Sequence, residues 1–338
     1  MFTLDSEIEI GSFKFKGVYD LVIKKSIFST VETAVIKLPA NAKVKRDGKT
    51  TPVLVKTNTQ FNVGDEVTIK LGYNNSLKQE FKGFVKSMDM NNPLEVQCEG
   101  YSYLLGKTNI KLSETNISVK DLLGLAVKNI SPAIEVQCDL DVTLVNVQVD
   151  GTANDVIAAI SRFSDGCIKC FFVAYNKLWC GFINSRYSEG EQVFPKTTVN
   201  FRPGFNLVVN NTLNFRGIKD VPTKVVYGKR MDRGVYIFGE SDKKYGISGR
   251  HKRTLNQVTT KSALLALANE KAADVNYDGF SGAIRTFLEP YTQPTFAAAL
   301  YESGNGNYLG SYLVEKVTTH FGVGGAWREV ELGIKIQS

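Results

Sequence analysis

LEVQCEG at Leu94–Gly100 and EVELG at Glu329–Gly333 end two segments of the chain that contain the same features in the same order. The segments are Val67–Gly100 and Phe296–Gly333. Each has a short apolar strand, a polar loop, a glycine followed by a second strand, a tight turn, and a last strand of alternating acidic and apolar residues. The match favours an internal repeat, which predicts two similar β domains in one chain. The alternative is that two unrelated hairpins share these features by chance.

Turns and period-two alternation extend this β pattern. The loops and turns of the repeat are Asn74-Asn75-Ser76 and Asn91-Asn92-Pro93 in the first segment, and Ser303–Gly306 and Gly322–Gly325 in the second. Gly83 and Gly310 precede the second strands. Alternation also occurs earlier in the chain, at Glu7–Ile10 and Phe13–Lys16. This pattern predicts antiparallel strands with one apolar face, as in a β-barrel or β-sandwich.

The pattern changes at about residue 113 and predicts two helices. Ser118 followed by Asp121, and Thr152 followed by Asp155, have the spacing of an N-terminal capping box. Apolar residues with helical spacing follow each of these starts. Asp165-Gly166 then predicts the end of the second helix.

The remaining elements complete the predicted architecture. Two strand-like runs, Ile168–Ala174 and Lys177–Ile183, follow the second helix. The β pattern returns from about residue 199 and is interrupted by one helix predicted over Ser262–Val275. We expect an α+β protein, mainly β, with two similar antiparallel β-barrel domains, an inserted small α/β domain and one long helix in the C-terminal half. The predicted domains are a first β-barrel at 1–112, the α/β insert at 113–198 and a second β-barrel at 199–338.

Composition argues against most enzymes. The chain has 338 residues, of which 43% are hydrophobic and 22% charged, as in a folded protein with a sizeable core. Only two histidines occur, His251 and His320, which excludes most histidine-rich metal sites and catalytic triads. The net charge of +7 is mild for this length and does not indicate a dedicated nucleic-acid-binding protein.

The N-terminus and the cysteines predict a protein made in a reducing cytoplasm. Met1–Glu7 contains acids where a signal peptide has a basic region and an apolar run. No stretch reaches the roughly 18 apolar residues of a membrane span. An odd number of cysteines without a secretory context favours free thiols. The cysteines are Cys98, Cys138, Cys167, Cys170 and Cys180.

Two motifs have the spacing of metal or redox sites, and neither is complete. Cys167 and Cys170 form a CxxC motif, but it enters an apolar strand, where positions i and i+3 point to opposite faces. No second cysteine or histidine pair supplies further ligands, so both are predicted to be core cysteines. Asp139 and Asp141 would share one face of a strand, and a solvated face is the expected environment for them.

The remaining candidates are also predicted to be structural. His251 is expected in an exposed loop and His320 near the end of a strand, and neither has a partner in a recognised catalytic motif. Gly322–Gly325 lacks the lysine and the helix of a phosphate-binding loop and predicts a hairpin turn. The basic segments Lys43–Lys49 and Lys243–Arg253 are predicted to be solvated loops. We therefore predict no catalytic, cofactor-binding or metal-binding residues and no cofactor.

Two blocks of sequence resemble a known family. GSYLVEKVTTH at Gly310–His320 and WREVEL at Trp327–Leu332 resemble the closing hairpin of bacteriophage tail baseplate hub proteins. That family includes the late control protein D proteins and the hub part of type VI secretion spikes. VGDEVTIKLGY at Val63–Tyr73 and FKGFV at Phe81–Val85 are similar to the family's Gly-Asp-x-Val strand and its partner strand. The barrel–insert–barrel order extends the resemblance over most of the chain.

The resemblance implies a structural protein of a phage, prophage or other contractile injection system. Such hubs are homotrimers in which two barrels per chain form a ring with six-fold-like symmetry. The ring joins the hexameric tail tube protein to the central spike protein in the virion baseplate, and DNA passes through it without sequence recognition. Assembly in the bacterial host cytoplasm, without membrane insertion, is implied too. No lysozyme-like or peptidase-like domain is recognised, so the wall-degrading activity of some relatives is not expected.

Two other functions stay open at this point. A tail-tip module that binds receptors or glycans would use exposed aromatic residues, and Trp179 and Trp327 are the only tryptophans. A tail-associated peptidoglycan hydrolase would need paired carboxylates or a zinc site, and the sequence contains no such motif.

Overall fold

Strands make up most of the described structure. The computed structural model describes residues 3–44, 53–89, 92–208, 212–216, 224–231, 236–241, 250–275, 279–301 and 310–336. The strands of the N-terminal third are β1 (Leu4–Ile10), β2 (Phe13–Phe15), β3 (Asp20–Ser26), β4 (Thr33–Leu38), β5 (Asn41–Val44), β6 (Val53–Lys56), β7 (Glu66–Tyr73), β8 (Ser76–Asp89) and β9 (Leu94–Glu99).

Helices and strands alternate in the middle of the chain, and strands dominate again after it. The middle elements are α1 (Ser102–Lys107), β10 (Asn109–Ser118), α2 (Val119–Val127), β11 (Glu135–Cys138), β12 (Thr143–Thr152), α3 (Ala153–Phe163), β13 (Lys169–Ala174), β14 (Lys177–Gly181) and α4 (Asn184–Ser188). The last elements are β15 (Thr198–Phe201), β16 (Asn214–Arg216), β17 (Lys224–Arg230), β18 (Tyr236–Glu240), β19 (Arg250–Thr254), α5 (Lys261–Val275), β20 (Gly279–Thr286), β21 (Ala297–Leu300), β22 (Gly310–Gly322) and β23 (Gly325–Ile336).

The largest sheet contains strands from both ends of the chain. Its thirteen strands include the path β16-β20-β23-β22-β3-β4-β9-β8-β7-β1-β2, with β21 beside β22 and β15 beside β21. The predicted mainly-β class is confirmed. Within the described ranges, no helix is both long enough and apolar enough to cross a membrane.

This sheet consists of two units with the same strand order. The first β unit is β1, β3, β4, β7, β8 and β9, and the second β unit is β15, β16, β20, β21, β22 and β23. Across the sheet, the first unit has the order β1-β7-β8-β9-β4-β3 and the second has the order β15-β21-β22-β23-β20-β16. When the strands of each unit are numbered along the chain, both orders are 1-4-5-6-3-2. The units differ at one pair, because β1 runs antiparallel to β7 whereas β15 runs parallel to β21. The predicted pair of similar β domains is therefore confirmed at the level of topology.

The cores of the two units also match. In the first unit Ile36 is the Cα partner of Val96, and in the second Ile284 is the partner of Val330. All four side chains are fully buried, and burying one such side chain contributes roughly 1.5–3 kcal/mol. The matched buried positions are Ile36 and Ile284, Val85 and Val314, Val96 and Val330, and Cys98 and Leu332.

Side-chain caps begin the two helices that the sequence predicts. The hydroxyl of Ser118 accepts a hydrogen bond from the Asp121 N–H at 3.0 Å and so caps α2. Thr152 and Asp155 form a capping box at the start of α3, in which the Thr152 N–H donates to the Asp155 carboxylate at 2.7 Å. Asp165 and the glycine after it, both with positive φ, follow the end of α3. The predicted helices are confirmed, and a β10–β12 ribbon that the sequence did not predict lies beside them.

Helix α5 packs into the core of the middle region. Leu264, Leu267 and Ala268 of α5 are fully buried in one cluster with side chains of α2 and α3. The buried carboxylate of Glu270 accepts hydrogen bonds from the N–H groups of Ile183, Asn184 and Ser185, which are the free donors at the start of α4. We call the elements around this cluster, α1–α4, β10–β14, β17–β19 and α5, the α/β module. It therefore includes residues from beyond position 198 of the chain.

Candidate functional site

The two cysteines of the CxxC motif contact different groups. The Cys167 sulfur lies 3.5 Å from the Tyr227 hydroxyl, and burial raises the pKa of this thiol to about 11. The Cys170 sulfur lies 2.9 Å from the sulfur of Cys180, its partner across the β13–β14 pair. The side chains of the motif therefore do not converge on one site.

Cys138 has the lowest thiol pKa of those that depart from the ordinary value. A hydrogen bond with the Cys180 thiol is the main cause, and the pKa of Cys138 falls to about 7. The five cysteines are all buried free thiols. Among the residues that the structure describes, no three His, Cys, Asp or Glu side chains are grouped so as to hold a metal ion.

Asp139 and Asp141 lie outside any strand. Both are exposed residues of the loop between β11 and β12, so the expectation that they share one face of a strand is wrong. The strand ends at Cys138 because its ladder with β14 ends there. The expectation of a solvent-exposed position holds for both carboxylates.

The histidines lie on strands. His320 is on β22, and its ring stacks on Trp327 of β23 with centroids 4.9 Å apart. Burial lowers the pKa of His320. The guanidinium of Arg285 lies over the Trp327 ring, 4.2 Å from its centroid. His251 belongs to β19, which pairs with β17, so its predicted loop position is wrong.

The other sequence candidates separate into buried, turn and basic residues. Trp179 is only 3% exposed, so it offers no surface for a glycan. Gly322 and Gly325 face each other across the β22–β23 hairpin, which confirms the predicted turn. Arg253 forms an ion pair with Asp165. The predicted loop 303–306 and position 91 lie outside the described residues. So do most residues of the basic segments Lys43–Lys49 and Lys243–Arg253.

The two β units meet at a continuous ladder. The second half of β22 runs antiparallel to β3, from the pair Lys316 and Ser26 to the pair Gly322 and Asp20. Phe321 of β22 is buried in the core of the first unit. This ladder is one part of what we call the junction. The other parts are the linker 287–293 and the ion pair of Glu80 with Arg328.

The linker between β20 and β21 inserts into the first unit. Leu288 is 2% exposed and belongs to the core of that unit. Its N–H donates to the Tyr73 hydroxyl at 3.4 Å, and the Tyr291 hydroxyl donates to the Gln79 carbonyl at 3.2 Å. The linker thus binds β7 and β8 through both side chains and backbone.

A buried ion pair closes the junction. Arg328 on β23 pairs with Glu80 on β8, and their side chains are only 1% and 4% exposed. The guanidinium also donates to the Leu288 carbonyl and lies over the Tyr291 ring at 5.3 Å. Burial raises the pKa of Glu80, and the charge of Arg328 opposes that shift. Removing either charge would leave the other buried without its partner.

The equivalence of the two units extends to their hydrogen bonds. Val85 exchanges backbone bonds with Gly64 and Asp65, and Val314 exchanges them with Thr295 and Phe296, at 2.8–2.9 Å. One residue later each strand has a bulge, between Val85 and Ser87 in β8 and between Val314 and Lys316 in β22. The shared turn, bond pattern and bulge favour an internal repeat over the chance-match alternative.

Sequence reasoning missed Arg328, although the sequence contains a signal for it. In WREVEL, period-two alternation places Arg328 on the same face as the buried Val330 and Leu332. An arginine on the apolar face of a strand indicates a buried charge with a partner. No pattern in the sequence indicates that the partner is Glu80, 248 residues away.

Comparisons with solved structures show the same fold in tail proteins. The tail protein from Neisseria meningitidis has a TM-score of 0.67 and 10% identity, over 98% of this chain and 96% of that chain. A 43 kDa prophage tail protein from Shewanella oneidensis has a TM-score of 0.62 and 10% identity, over 97% and 98%. A type VI secretion component from E. coli, described as similar to T4 phage tail proteins, has a TM-score of 0.59 and 10% identity, over 98% and 77%. No protein-family model and no curated protein matches the sequence.

These likenesses confirm the fold implied by the sequence resemblance, which this chain shares with phage-type tail proteins and a type VI secretion component. The two tail proteins match over nearly their whole length, so both β units and the α/β module belong to the shared architecture. Fold alone does not determine function.

Proposed function

We propose that this chain is the structural baseplate hub of a phage or prophage-derived tail, or of a related contractile injection system. Three copies form a ring with six-fold-like symmetry, which joins the hexameric tail tube protein to the central spike protein. The chain acts by assembly and not by catalysis. It is assembled in the host cytoplasm and functions in the tail baseplate.

The duplication carries this proposal. Two units with one strand order, matched cores and matched turns present two similar surfaces per chain. In a cyclic trimer these become six similar surfaces arranged around one axis. A six-subunit partner and a three-subunit partner can then both bind the same ring without breaking symmetry.

Strand edges favour assembly over a free monomer. An open edge presents unpaired backbone donors and acceptors and promotes uncontrolled pairing, so native proteins cover or pair their edges. In the described part of the sheet, β2 and β16 are the two ends of the hydrogen-bonded path. Ring formation would bring such ends to neighbouring copies.

The exposed face of the sheet is suited to a water-filled channel. Along β7 the polar residues Glu66, Thr68 and Lys70 alternate with buried apolar residues. Lysines on this face pair with acids of neighbouring strands, as Lys70 does with Glu7 at 2.6 Å. A face with both signs of charge offers no strong attraction to phosphates, which would let DNA pass without sequence recognition.

The domain division belongs to the same proposal. We propose boundaries along the sequence at about residues 112 and 198, after which the chain returns to the α/β module through β17–β19 and α5 before it completes the second β unit. Buried side chains of all three regions meet in one cluster that contains Ile27, Trp179 and Leu313. This packing would fix the insert relative to the ring.

Mass measurement and electron microscopy test the proposal. We expect the purified chain to sediment with three times the 37.4 kDa mass of one chain. Class averages along the axis should show a ring with six similar lobes. A concentration series supplies the control, because an assembly must dissociate on dilution whereas an aggregate gives no defined mass. A monomer at every concentration, or a ring with another number of lobes, would contradict the proposal.

A further inference from the structure

On the side away from β23, strand β22 changes its partner halfway along its length. Residues 310–313 pair with β21 of its own unit, and residues 316–322 pair with β3 of the other unit. At one end of this second ladder the Ile27 N–H donates to the Glu315 carbonyl at 2.9 Å. Since bonded and non-bonded pairs alternate in an antiparallel ladder, Lys316 and Ser26 form a non-hydrogen-bonded pair with close side chains.

The equivalent of this half-strand in the first unit is the second half of β8. Val85 matches Val314 through the shared turn bonds, and the bulge after each of them makes Ser87 equivalent to Lys316. On the side away from β9, the pairing of β8 with β7 ends at Phe84. Among the strands that the structure describes, none pairs with β8 on that side beyond this point.

The equivalent of β3 in the second unit is β16. In the first unit, Lys24 of β3 is opposite Thr33, three residues before the buried Ile36 of β4. In the second unit, Asn214 of β16 is opposite Ser281, three residues before the buried Ile284 of β20. Lys24 and Asn214 are therefore equivalent, and two residues further on so are Ser26 and Arg216. β16 is the end of the described sheet path, with β20 on its other side.

We propose that the second half of β8 in one copy of the chain pairs antiparallel with β16 of the next copy, with Ser87 opposite Arg216. This contact repeats between chains the pairing that β22 and β3 make within a chain. The proposal rests on the trimeric hub proposed above and names the strands that close it. Three such contacts and three internal junctions together complete one ring of six units.

Within the described residues, the proposed contact between chains contains fewer pairs than the ladder within the chain. The β22–β3 ladder contains seven Cα pairs, because β22 continues to Gly322 before the hairpin turns. In the first unit β8 is described as far as Asp89, three residues after the bulge residue Lys86. Only the contact between chains joins different copies, so we expect dilution to dissociate it and to leave intact monomers.

Cysteine cross-linking tests the register. The double variant Ser87→Cys with Arg216→Cys places two thiols at a non-hydrogen-bonded pair, where the Cβ atoms are close enough for a disulfide. After mild oxidation and blocking of free thiols, we expect dimer and trimer bands on a non-reducing denaturing gel. Each single variant alone should give monomer, and co-assembly of the two single variants should restore a dimer band. The five native cysteines are buried, and the single variants, which retain all five, control for any link that they form.

Two matched pairs control the experiment. Ser26→Cys with Lys316→Cys should link within one chain and leave the monomer mass unchanged, since these residues are opposite each other in the structure. Lys78→Cys with Arg216→Cys uses the same strand β8 at an exposed residue beside β7, and we expect no link between chains. A link at Lys78 as strong as at Ser87 would contradict the proposed register.

Hydrogen exchange of the unmodified chain supplies a readout that no substitution can disturb. Met88 is equivalent to Val317, whose N–H faces β3. The N–H of Met88 should therefore face the neighbouring copy. We expect it to exchange at least ten-fold more slowly in the trimer than after dilution. A trimer with unchanged exchange at Met88 and no Ser87–Arg216 link would overturn this inference and leave the trimeric hub standing. A chain that stays monomeric, with only the Ser26–Lys316 control linking, would overturn both.

Discussion

Gly64 and Thr295 occupy the same position in two equivalent turns, and both have positive φ, 95° and 81°. The turn at Asn62–Asp65 closes with a hydrogen bond of 3.2 Å, and the turn at 293–296 closes with one of 3.3 Å. Glycine adopts such a φ without a steric penalty, whereas a β-branched residue does not. The second β unit therefore carries strain at a turn where the first carries none.

Replacing Thr295 by glycine should stabilise the protein. The strain of a non-glycine residue at positive φ is about 1–3 kcal/mol, and the extra chain entropy of glycine in the unfolded state offsets about 0.5–1 kcal/mol of the gain. We expect Thr295→Gly to raise the free energy of unfolding by about 1 kcal/mol in urea titrations. Gly64→Thr is the matched control and should lower it. A loss of stability for Thr295→Gly would show that the threonine side chain makes an essential contact.

The buried pair Arg328–Glu80 should be among the most sensitive sites in the chain. Arg328→Met leaves the Glu80 carboxylate buried without its partner, which costs about 3–5 kcal/mol. The double variant Arg328→Met with Glu80→Leu should recover much of this loss, because neither charge then remains. Both are measured by urea unfolding.

The control for that pair is an exposed one. Lys111 and Asp150 are 3.3 Å apart with side-chain exposures of 85% and 77%, so Lys111→Met should leave the unfolding midpoint unchanged. Equal effects of Arg328→Met and Lys111→Met would mean that the junction does not stabilise the fold.

Glu315 predicts a pH dependence of stability. Burial, and next the nearby charge of Asp274, raise the pKa of this carboxyl from 4.5 to about 7 in the folded protein, and Lys169 opposes the shift. Folding therefore takes up a proton between these values, and stability falls as the pH rises from about 4.5 to 7 and then levels off.

Glu315→Gln should remove this dependence. We expect it to stabilise the protein at pH 8 by up to about 3 kcal/mol and to have little effect at pH 5, as measured by urea unfolding at both values. Glu331→Gln is the control, because that carboxyl lies on the next strand and is 43% exposed. A pH profile that Glu315→Gln leaves unchanged would contradict the prediction.

Thiol titration should separate Cys138 from the other cysteines. Burial raises the pKa of Cys98 to about 12 and that of Cys167 to about 11, whereas the pKa of Cys138 is about 7. Because the thiolate is the reactive form, we expect Cys138 to react first at pH 8 during local opening, and all five thiols to react in denaturant. Cys138→Ser should abolish the fast phase, and Cys98→Ser should not.

Sequence patterns predicted those elements whose signals are local. The serine and threonine caps at Ser118 and Thr152 predicted α2 and α3, and alternating acids in the last strand of each segment predicted the matched strands β9 and β23. The equivalence of Gly83 and Gly310 is wrong in register, because Gly83 lies in the middle of β8 whereas Gly310 begins β22. Val85 matches Val314 through the turn bonds, so the residue of β22 that is equivalent to Gly83 lies within the strand and is not Gly310.

Contacts between distant segments had no local signal. In the ribbon of β10 and β12, only one residue of the first strand, Ile117, is buried, so its apolar pattern is weak. Leu288 lies two residues after the end of β20, and nothing in its surroundings indicates that it enters the core of the other unit. Such contacts depend on where the whole sheet places each strand end, which a window of neighbouring residues does not contain.

Phe321 and Leu288 complete the interior of the first β unit, although they are made long after its last strand, β9. A ribosome adds roughly 5–20 residues per second, so the first unit waits on the order of ten seconds between its own synthesis and the arrival of these side chains. During that interval its apolar interior is open to solvent and to chaperones. A nascent chain that stops before Leu288 cannot complete the core of the first unit. We expect proteases to degrade such truncated chains before they enter an assembling particle.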